Sequence, residues 1–277
     1  MDTAKTVKEY YNSSVEAEWN RIAGRPEFLL TCRFLDKYIK PGDSKYINSG
    51  DSVLDIGGGP GRYSLYLSQK GCNVTLFDLS DKNIEFAKNK ADELNLKLNT
   101  ICGDAREADS LVNKQFDYIL LMGPMYHLLE EEDRIKAVNS ALKLLKPNGI
   151  IFVSFISVYG GLIYMTKCAQ DIIISEVPME INFRETVINR RSYSGEAFTL
   201  AHFIQMKEIL PFMERFPLEK LHLFGQEGIM TLNEDKIMSQ PQNVIDAFVD
   251  FSLKVCENEE LLSWSEHLMY VGRKKQC

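Results

Sequence analysis

From residue 51 onward the apolar positions follow two rhythms. Short apolar runs stand where strands belong: Ser52–Ile56, 73–77, 96–102, Phe116–Leu121 and 150–155. Between them the spacing turns helical. A helix over 63–70 is closed by Gly71. Ile84, Ala87, Ala91 and Leu94 mark one face of a second helix, with Ser80 as its N-cap. Ile135, Val138, Leu142 and Leu145 stripe a third. Its first turn holds Glu130, Glu131, Glu132 and Asp133, where the helix dipole favours anions. Lys146-Pro147-Asn148-Gly149 reads as a turn. Strands alternating with amphipathic helices predict an α/β protein with a doubly wound, mostly parallel sheet covered on both faces.

The flanks read differently. Phe28, Cys32, Leu35 and Ile39 give one apolar helical face after Arg25-Pro26, and Pro41-Gly42 stops it. Tyr10, Tyr11 and Trp19 lie upstream in another helix. They serve either to dock a terminal helix on the core, the preferred reading for Trp19, or to close over a ligand, with Tyr11 a candidate substrate contact. Over 157–217 the pattern loosens into mixed helix and turn signals, read as an insertion packed over the sheet edge. Strands follow at 218–224 and 266–273, with a helix over about 241–257. The expected organisation is a helical N-terminal cap segment (1–50), a cofactor-binding core (51–157), an inserted lid or substrate region (158–217) and the C-terminal strands of the core (218–277).

Composition adds bounds. The 277 residues are 45% hydrophobic and 26% charged, with a net charge of −7. That mix fits an ordinary globular protein. The acidic balance argues against a nucleic-acid substrate, which calls for a basic face. Six cysteines form no C-x-x-C pair, so no zinc or other metal site is expected. Scattered thiols, a polar N-terminus and no long apolar run point to a cytoplasmic chain without a membrane span. Oligomeric state is left open.

The densest chemical signal is Asp55-Ile56-Gly57-Gly58-Gly59-Pro60-Gly61, where an apolar strand meets a D-x-G-x-G-x-G turn ahead of a helix. Glycines let a backbone turn sharply and let a ligand approach closely. A dinucleotide fingerprint needs a third glycine at 62 or 64, and those positions hold Arg62 and Ser64. Asp78, followed by Leu79, ends the second strand; its carboxylate suits ribose hydroxyls, or it is a helix N-terminal acid, as Asp81 is. Asp104, followed by Ala105, ends the third strand; it suits an adenine amino group, or is a turn aspartate. Met122 to His127 follow the fourth. The carboxyl ends of parallel strands share one edge, so these four loops should converge.

Together these residues resemble the class I S-adenosylmethionine-dependent methyltransferases over 51–157. They look most like the small-molecule branch that includes the ubiquinone/menaquinone methyltransferases. The resemblance implies a Rossmann-like sheet of seven strands in the order 3-2-1-4-5-7-6, the last antiparallel, with 218–224 and 266–273 as strands six and seven. It implies that Asp55, Gly57, Gly59 and Gly61 pack against the methionine part and ribose of S-adenosylmethionine. By the same resemblance Asp78 with Leu79 holds the ribose, Asp104 with Ala105 meets the adenine, and Leu121, Met122 and Gly123 line the methionine end. The N/D-P-P-Y/F motif of amino-group enzymes acting on nucleic acids and proteins is replaced by Met122-Gly123-Pro124-Met125. That points to a small-molecule methyl acceptor, attacked in line with the departing sulfur.

Catalysis would then consist mainly of alignment, with a base needed only for a protonated acceptor. Candidate bases are His127, Tyr126 and His202. His127 serves either as a base or as a structural bond that fixes its loop. His202 and Arg191 are further candidates for substrate contact, although surface arginines are ordinarily solvated. Two rivals stand: a nicotinamide-dependent oxidoreductase, opposed by the glycine spacing, and a non-catalytic S-adenosylmethionine-binding protein.

Overall fold

The computed structural model describes residues 3–38 and 50–276. Ile39 and the helix stop at Pro41-Gly42 lie outside the described residues. Three helices open the chain: α1 (Thr3–Ser13), α2 (Val15–Arg21) and α3 (Pro26–Tyr38). Then come β1 (Ser52–Ile56), α4 (Arg62–Gln69), β2 (Asn73–Asp78), α5 (Asp81–Glu93), β3 (Asn99–Cys102), α6 (Ala108–Leu111), β4 (Phe116–Leu121), α7 (Glu131–Leu144) and β5 (Leu145–Ser157). Next are α8 (Val158–Cys168), α9 (Pro178–Ile188), β6 (Tyr193–Glu196), β7 (Leu200–Ile204) and α10 (Met206–Met213). The chain returns through β8 (Leu218–Gly225), α11 (Glu234–Met238), α12 (Gln242–Val255), α13 (Glu259–Leu262) and β9 (His267–Lys274).

β3, β2, β1, β4 and β5 lie side by side and parallel. β9 runs antiparallel to β5 and β8 antiparallel to β9. In family terms β8 and β9 are strands six and seven, and the expected order 3-2-1-4-5-7-6 is present. The sheet nevertheless has nine strands, because β6 and β7 add a hairpin.

The central strands read as unbroken apolar runs because both faces are covered. Successive side chains point to opposite faces. Leu54, Ile56, Ile119 and Leu121 enter one core beneath α7 and α10. Val53, Tyr118 and Leu120 enter the other, beneath α3, α4 and α12.

Four expectations need correction. The N-terminal helix is two helices, since Ser13 Oγ and Ser14 Oγ both donate to the Tyr10 carbonyl, at 2.8 and 2.9 Å, and compete with the helical ladder. Leu94 is not on the buried face: it is the C-cap of α5 and 47% exposed, and the buried stripe is Asn83, Ala87 and Ala91. Residues 146–149 turn inside a continuous strand. Phe116 pairs with Leu145 and Tyr118 with Ile150, so the four residues bulge out, with Asn148 at φ +61°.

The fourth concerns 157–217, which joins the sheet. β9 occupies one edge of β5 as far as Ile156↔His267, and β4 the other edge as far as Leu121↔Val153. β7 pairs with Ile156 and Ser157, so it lies on the β4 edge beyond the end of β4. The hairpin therefore hangs over the loop that leaves β4. Strands of four and five residues without alternation gave no sequence signal, and β7 joins the sheet only through the overhang of β5.

The N-terminal helices are held from below. Phe34 of α3 stacks on Phe224 of β8 with centroids 3.6 Å apart and planes 6° from parallel, both side chains fully buried. Phe34→Ala should lower unfolding free energy by about 3–5 kcal/mol, and Phe34→Leu by clearly less. Urea denaturation checks this; equal effects of the two would mean that the ring pair contributes nothing of its own.

Candidate functional site

The glycine loop is set by the end of β2. Gly57 N donates to the Phe77 carbonyl at 2.7 Å, and Gly59 N donates to Asp78 Oδ2 at 2.8 Å. Asp78 Oδ1 accepts from Ser80 N at 2.8 Å and from Asn83 Nδ2 at 3.2 Å. A carboxylate offers about four acceptor sites. Three are used, and one on Oδ2 is left. Burial pushes the Asp78 pKa up, opposed by these hydrogen bonds.

Two glycine positions explain the motif. Gly123, after β4, approaches so closely that an added Cβ would stand 2.8 Å from the Gly57 carbonyl oxygen. The β1 and β4 loops are in backbone contact. Gly59 has φ +56°, and a Cβ there would find no atom nearer than Asn83 Nδ2 at 3.9 Å. It would point into open space.

That space is a cavity of about 320 Å³. Its walls include Gly57, Gly59, Asp78, Leu79, Asp104, Ala105, Met122 and Gly123, together with Tyr11, Tyr126 and His127. Carboxylates 78 and 104 thus share one cavity with the glycine loop. Asp104 already accepts from Arg106, through N and Nε on Oδ1 at 2.9 and 3.0 Å and Nη2 on Oδ2 at 2.6 Å. Arg106 also reaches Asp133 at 2.7 Å, which ties the β3 loop to α7.

Three expected contacts are not brought to the wall. Asp55 lies behind Gly58, fully buried, with Ser64 Oγ donating to Oδ2 at 2.7 Å and Oδ1 unpartnered. Burial lifts its pKa to about 7. Gly61 faces α5, where an added Cβ would stand 2.9 Å from Ala87 Cβ. Leu121 is fully buried in the core. These residues support the loop from behind.

Tyr11 and His127 form a fixed pair. His127 Nδ1 lies 3.1 Å from the Leu200 carbonyl of β7, which only accepts, so Nδ1 carries the proton. Nε2 is then a lone pair, and the Tyr11 hydroxyl donates to it at 2.7 Å. Burial lowers the imidazole pKa to about 4. The histidine is neutral and its tautomer is set.

The cavity opens past Tyr11, Tyr126, Glu18 and Arg21 into a second chamber of about 610 Å³ beneath α8, α9 and the β6–β7 hairpin. His202 and Arg191 line neither. His202 is the cross-strand partner of Ser194, whose Oγ lies 2.7 Å from its Nδ1, and burial lowers its pKa to about 3. Its neighbour Phe203 faces the chamber, so His202 points the other way. Arg191 is exposed. Trp19 docks α2, with Arg62 over its ring at 3.5 Å and Phe86 at 5.5 Å.

A partly buried ionic group, with Arg21 at its exposed end, went unforeseen. Arg21 donates to Glu18 at 3.0 Å and Glu27 at 2.8 Å. His267 Nδ1 lies 2.6 Å from Glu227 and 4.0 Å from Glu27. Burial opposes charge on His267, but the two carboxylates outweigh it and lift its pKa to about 9. Each residue is ordinary in sequence, and only the fold collects them where the two cavities meet.

Residues 53–149 match the methyltransferase-domain family model. A ubiquinone biosynthesis O-methyltransferase of Coxiella burnetii is 35% identical over 43% of this chain and 51% of the relative. One from Rickettsia bellii is 26% identical over 71% and 73%. The chain spans about half the length of the first of these. In structure, the 1,6-didemethyltoxoflavin-N1-methyltransferase of Burkholderia thailandensis, solved with 1,6-didemethyltoxoflavin and S-adenosylhomocysteine, superposes with a TM-score of 0.60 at 15% identity, covering 99% of this chain and 89% of that one. No described helix is long and apolar enough to cross a membrane. The domain match over residues 53–149, the 3-2-1-4-5-7-6 core and the glycine loop facing two strand-end carboxylates together identify a methyltransferase domain within this chain.

Proposed function

We propose that this protein transfers the methyl group of S-adenosylmethionine to a small-molecule acceptor. One observation carries the reading: Gly59, Asp78, Asp104 and Gly123 face a single cavity although they come from four separate loops. The cavity fits the cofactor on its own terms. Gly59 leaves open space that a Cβ would occupy, and Asp78 keeps one acceptor site for a ribose hydroxyl. A second hydroxyl on Asp78 would have to displace one of the existing bonds.

Bound S-adenosylmethionine supplies an activated methyl group on a sulfonium sulfur. The chain's residues bind and align. Asp78 and Leu79 hold the ribose end, Asp104 and Ala105 the adenine edge, and Met122 and Gly123 the methionine end. Asp55, Gly61 and Leu121 keep that wall in shape. Thr3, Val7 and Tyr11 of α1 cover the cavity and exclude water. Lys8 ties α1 to Asp81 at 2.8 Å, and Ser80 Oγ donates to Asn12 Oδ1 at 2.6 Å. Tyr11 lines both cavities, and because its hydroxyl proton is held by His127 Nε2, its oxygen is left to accept a hydrogen bond from the methyl acceptor and orient it. Tyr126 walls the junction. Residues 158–217 supply most of the acceptor chamber. The unpaired cysteines among the described residues fit a reducing cytoplasm.

Binding is tested by calorimetry with S-adenosylhomocysteine. Asp78→Ala should weaken affinity by about 1.5–3 kcal/mol, the worth of a hydrogen bond to a charged group. Gly59→Ala should stay folded and lose most binding, because its Cβ enters the ligand's space. Wild-type affinity in both would remove the glycine loop from the site.

The tautomer assignment makes a pH prediction. His127 has a lower pKa folded than unfolded, so below pH about 6.5 the unfolded chain takes up a proton that the folded chain refuses. Stability should therefore fall as pH drops from about 6.5 toward 4. Between pH 7 and 5 the wild type should lose about 1–2 kcal/mol more than His127→Gln. Equal losses in urea denaturation would show that His127 is charged in the folded state.

A further inference from the structure

The chamber beyond Tyr11 and Tyr126 is walled mostly by rings. Phe183, Tyr193 and Phe203 form an edge-to-face cluster with centroids 5.7 to 6.0 Å apart. Tyr10, Phe198 and Tyr164 complete the aromatic surface. Such walls favour a flat guest and attract cations through the ring faces.

The charges on the same wall are unbalanced. Its cations are Arg21 and His267, and its carboxylates are Glu18, Asp171, Glu180, Glu196 and Glu266. Both cations are already compensated. Arg21 sits between Glu18 and Glu27, and His267 between Glu227 and Glu27. Lys167, 3.5 Å from Glu266, is shared with Glu234 at 3.6 Å. Glu180 on α9 and Glu196 on β6 form no ion pair among the described residues. The field inside is negative.

We infer that the methyl acceptor is a flat aromatic or heteroaromatic molecule bearing a basic, protonated nitrogen, and that anionic acceptors are rejected. This deepens the methyl-transfer reading and rests on it. The nitrogen lies toward Glu180 and Glu196 and the ring among the tyrosines, while the atom to be methylated faces the Tyr11 junction.

Three probes of one shape and different charge test it: 2-naphthylmethylamine, 2-naphthalenemethanol and 2-naphthoate, titrated calorimetrically into the full chain with and without S-adenosylhomocysteine at low salt. The amine should bind at least about tenfold more tightly than the alcohol, and the carboxylate more weakly than either. In Glu180→Gln/Glu196→Gln the ratio of amine to alcohol should fall toward one, while the alcohol binds as before. The preference should also weaken as salt is raised. Naphthoate binding as well as the amine, no binding by any probe, or an unchanged ratio in the double variant would overturn the inference. Failure of S-adenosylhomocysteine to bind, with the charge preference intact, would remove the methyl-transfer reading alone, so the two fail separately.

Discussion

The site depends on one buried carboxylate. Asp78 ends β2 and accepts from the backbone of the glycine loop on one side and from Ser80 and Asn83 of the next turn and helix on the other. An isolated buried carboxylate is costly, and only hydrogen bonding offsets the cost. The carboxylate thereby fixes the relative positions of β1, β2 and α5. Ser80, which it orders, caps α5 and reaches Asn12 of α1. The covering helix is thus registered on the same group that lines the cavity.

A second constraint comes from β5. It outruns β4 by four residues, and the last two of them, Ile156 and Ser157, are the ones the hairpin pairs with. This places Leu200 over the β4 loop, where its carbonyl sets the His127 tautomer. The tautomer in turn orients Tyr11 from the first helix. Three segments far apart in sequence meet at one imidazole ring.

What was legible in the chain follows from these constraints. β1 and β4 are readable to the residue because their side chains are buried on both faces, and a long apolar run has no other use there. The glycine loop, Asp78 and Asp104 are readable because parallel strands must deliver their ends to one edge. The hairpin was not, since its strands are short and it joins the sheet only through the overhang of β5. His202 was misplaced for the same reason: one residue of register decides which face a side chain takes, and nothing local announces it. Arg21, Glu27, Glu227 and His267 had no signal, because their meaning is mutual. Conversely Asp55, Gly61 and Leu121 carry the motif without reaching the cavity. A motif records what shapes a loop as well as what touches a ligand.

The electrostatics of the two cavities then form one argument. A sulfonium ligand is a cation, and a protonated imidazole at the junction would oppose it. His127 is kept neutral by burial, and the nearby positive charge of Arg21 pushes its pKa in the same direction. Arg21 and His267 remain charged, but three carboxylates surround them. The junction therefore carries no excess positive charge, and the chamber beyond it carries negative charge. Two cationic ligands side by side would repel strongly in a dry site. The carboxylates of the chamber offset that repulsion at its far end, so a basic nitrogen is tolerated only at a distance from the sulfur. The acceptor atom itself must hold a free lone pair when it attacks, so the protonated nitrogen that the chamber recognises cannot be the reacting atom. Separation of the recognised charge from the reacting atom is thus imposed by the field of the protein, independent of which molecule fills the chamber.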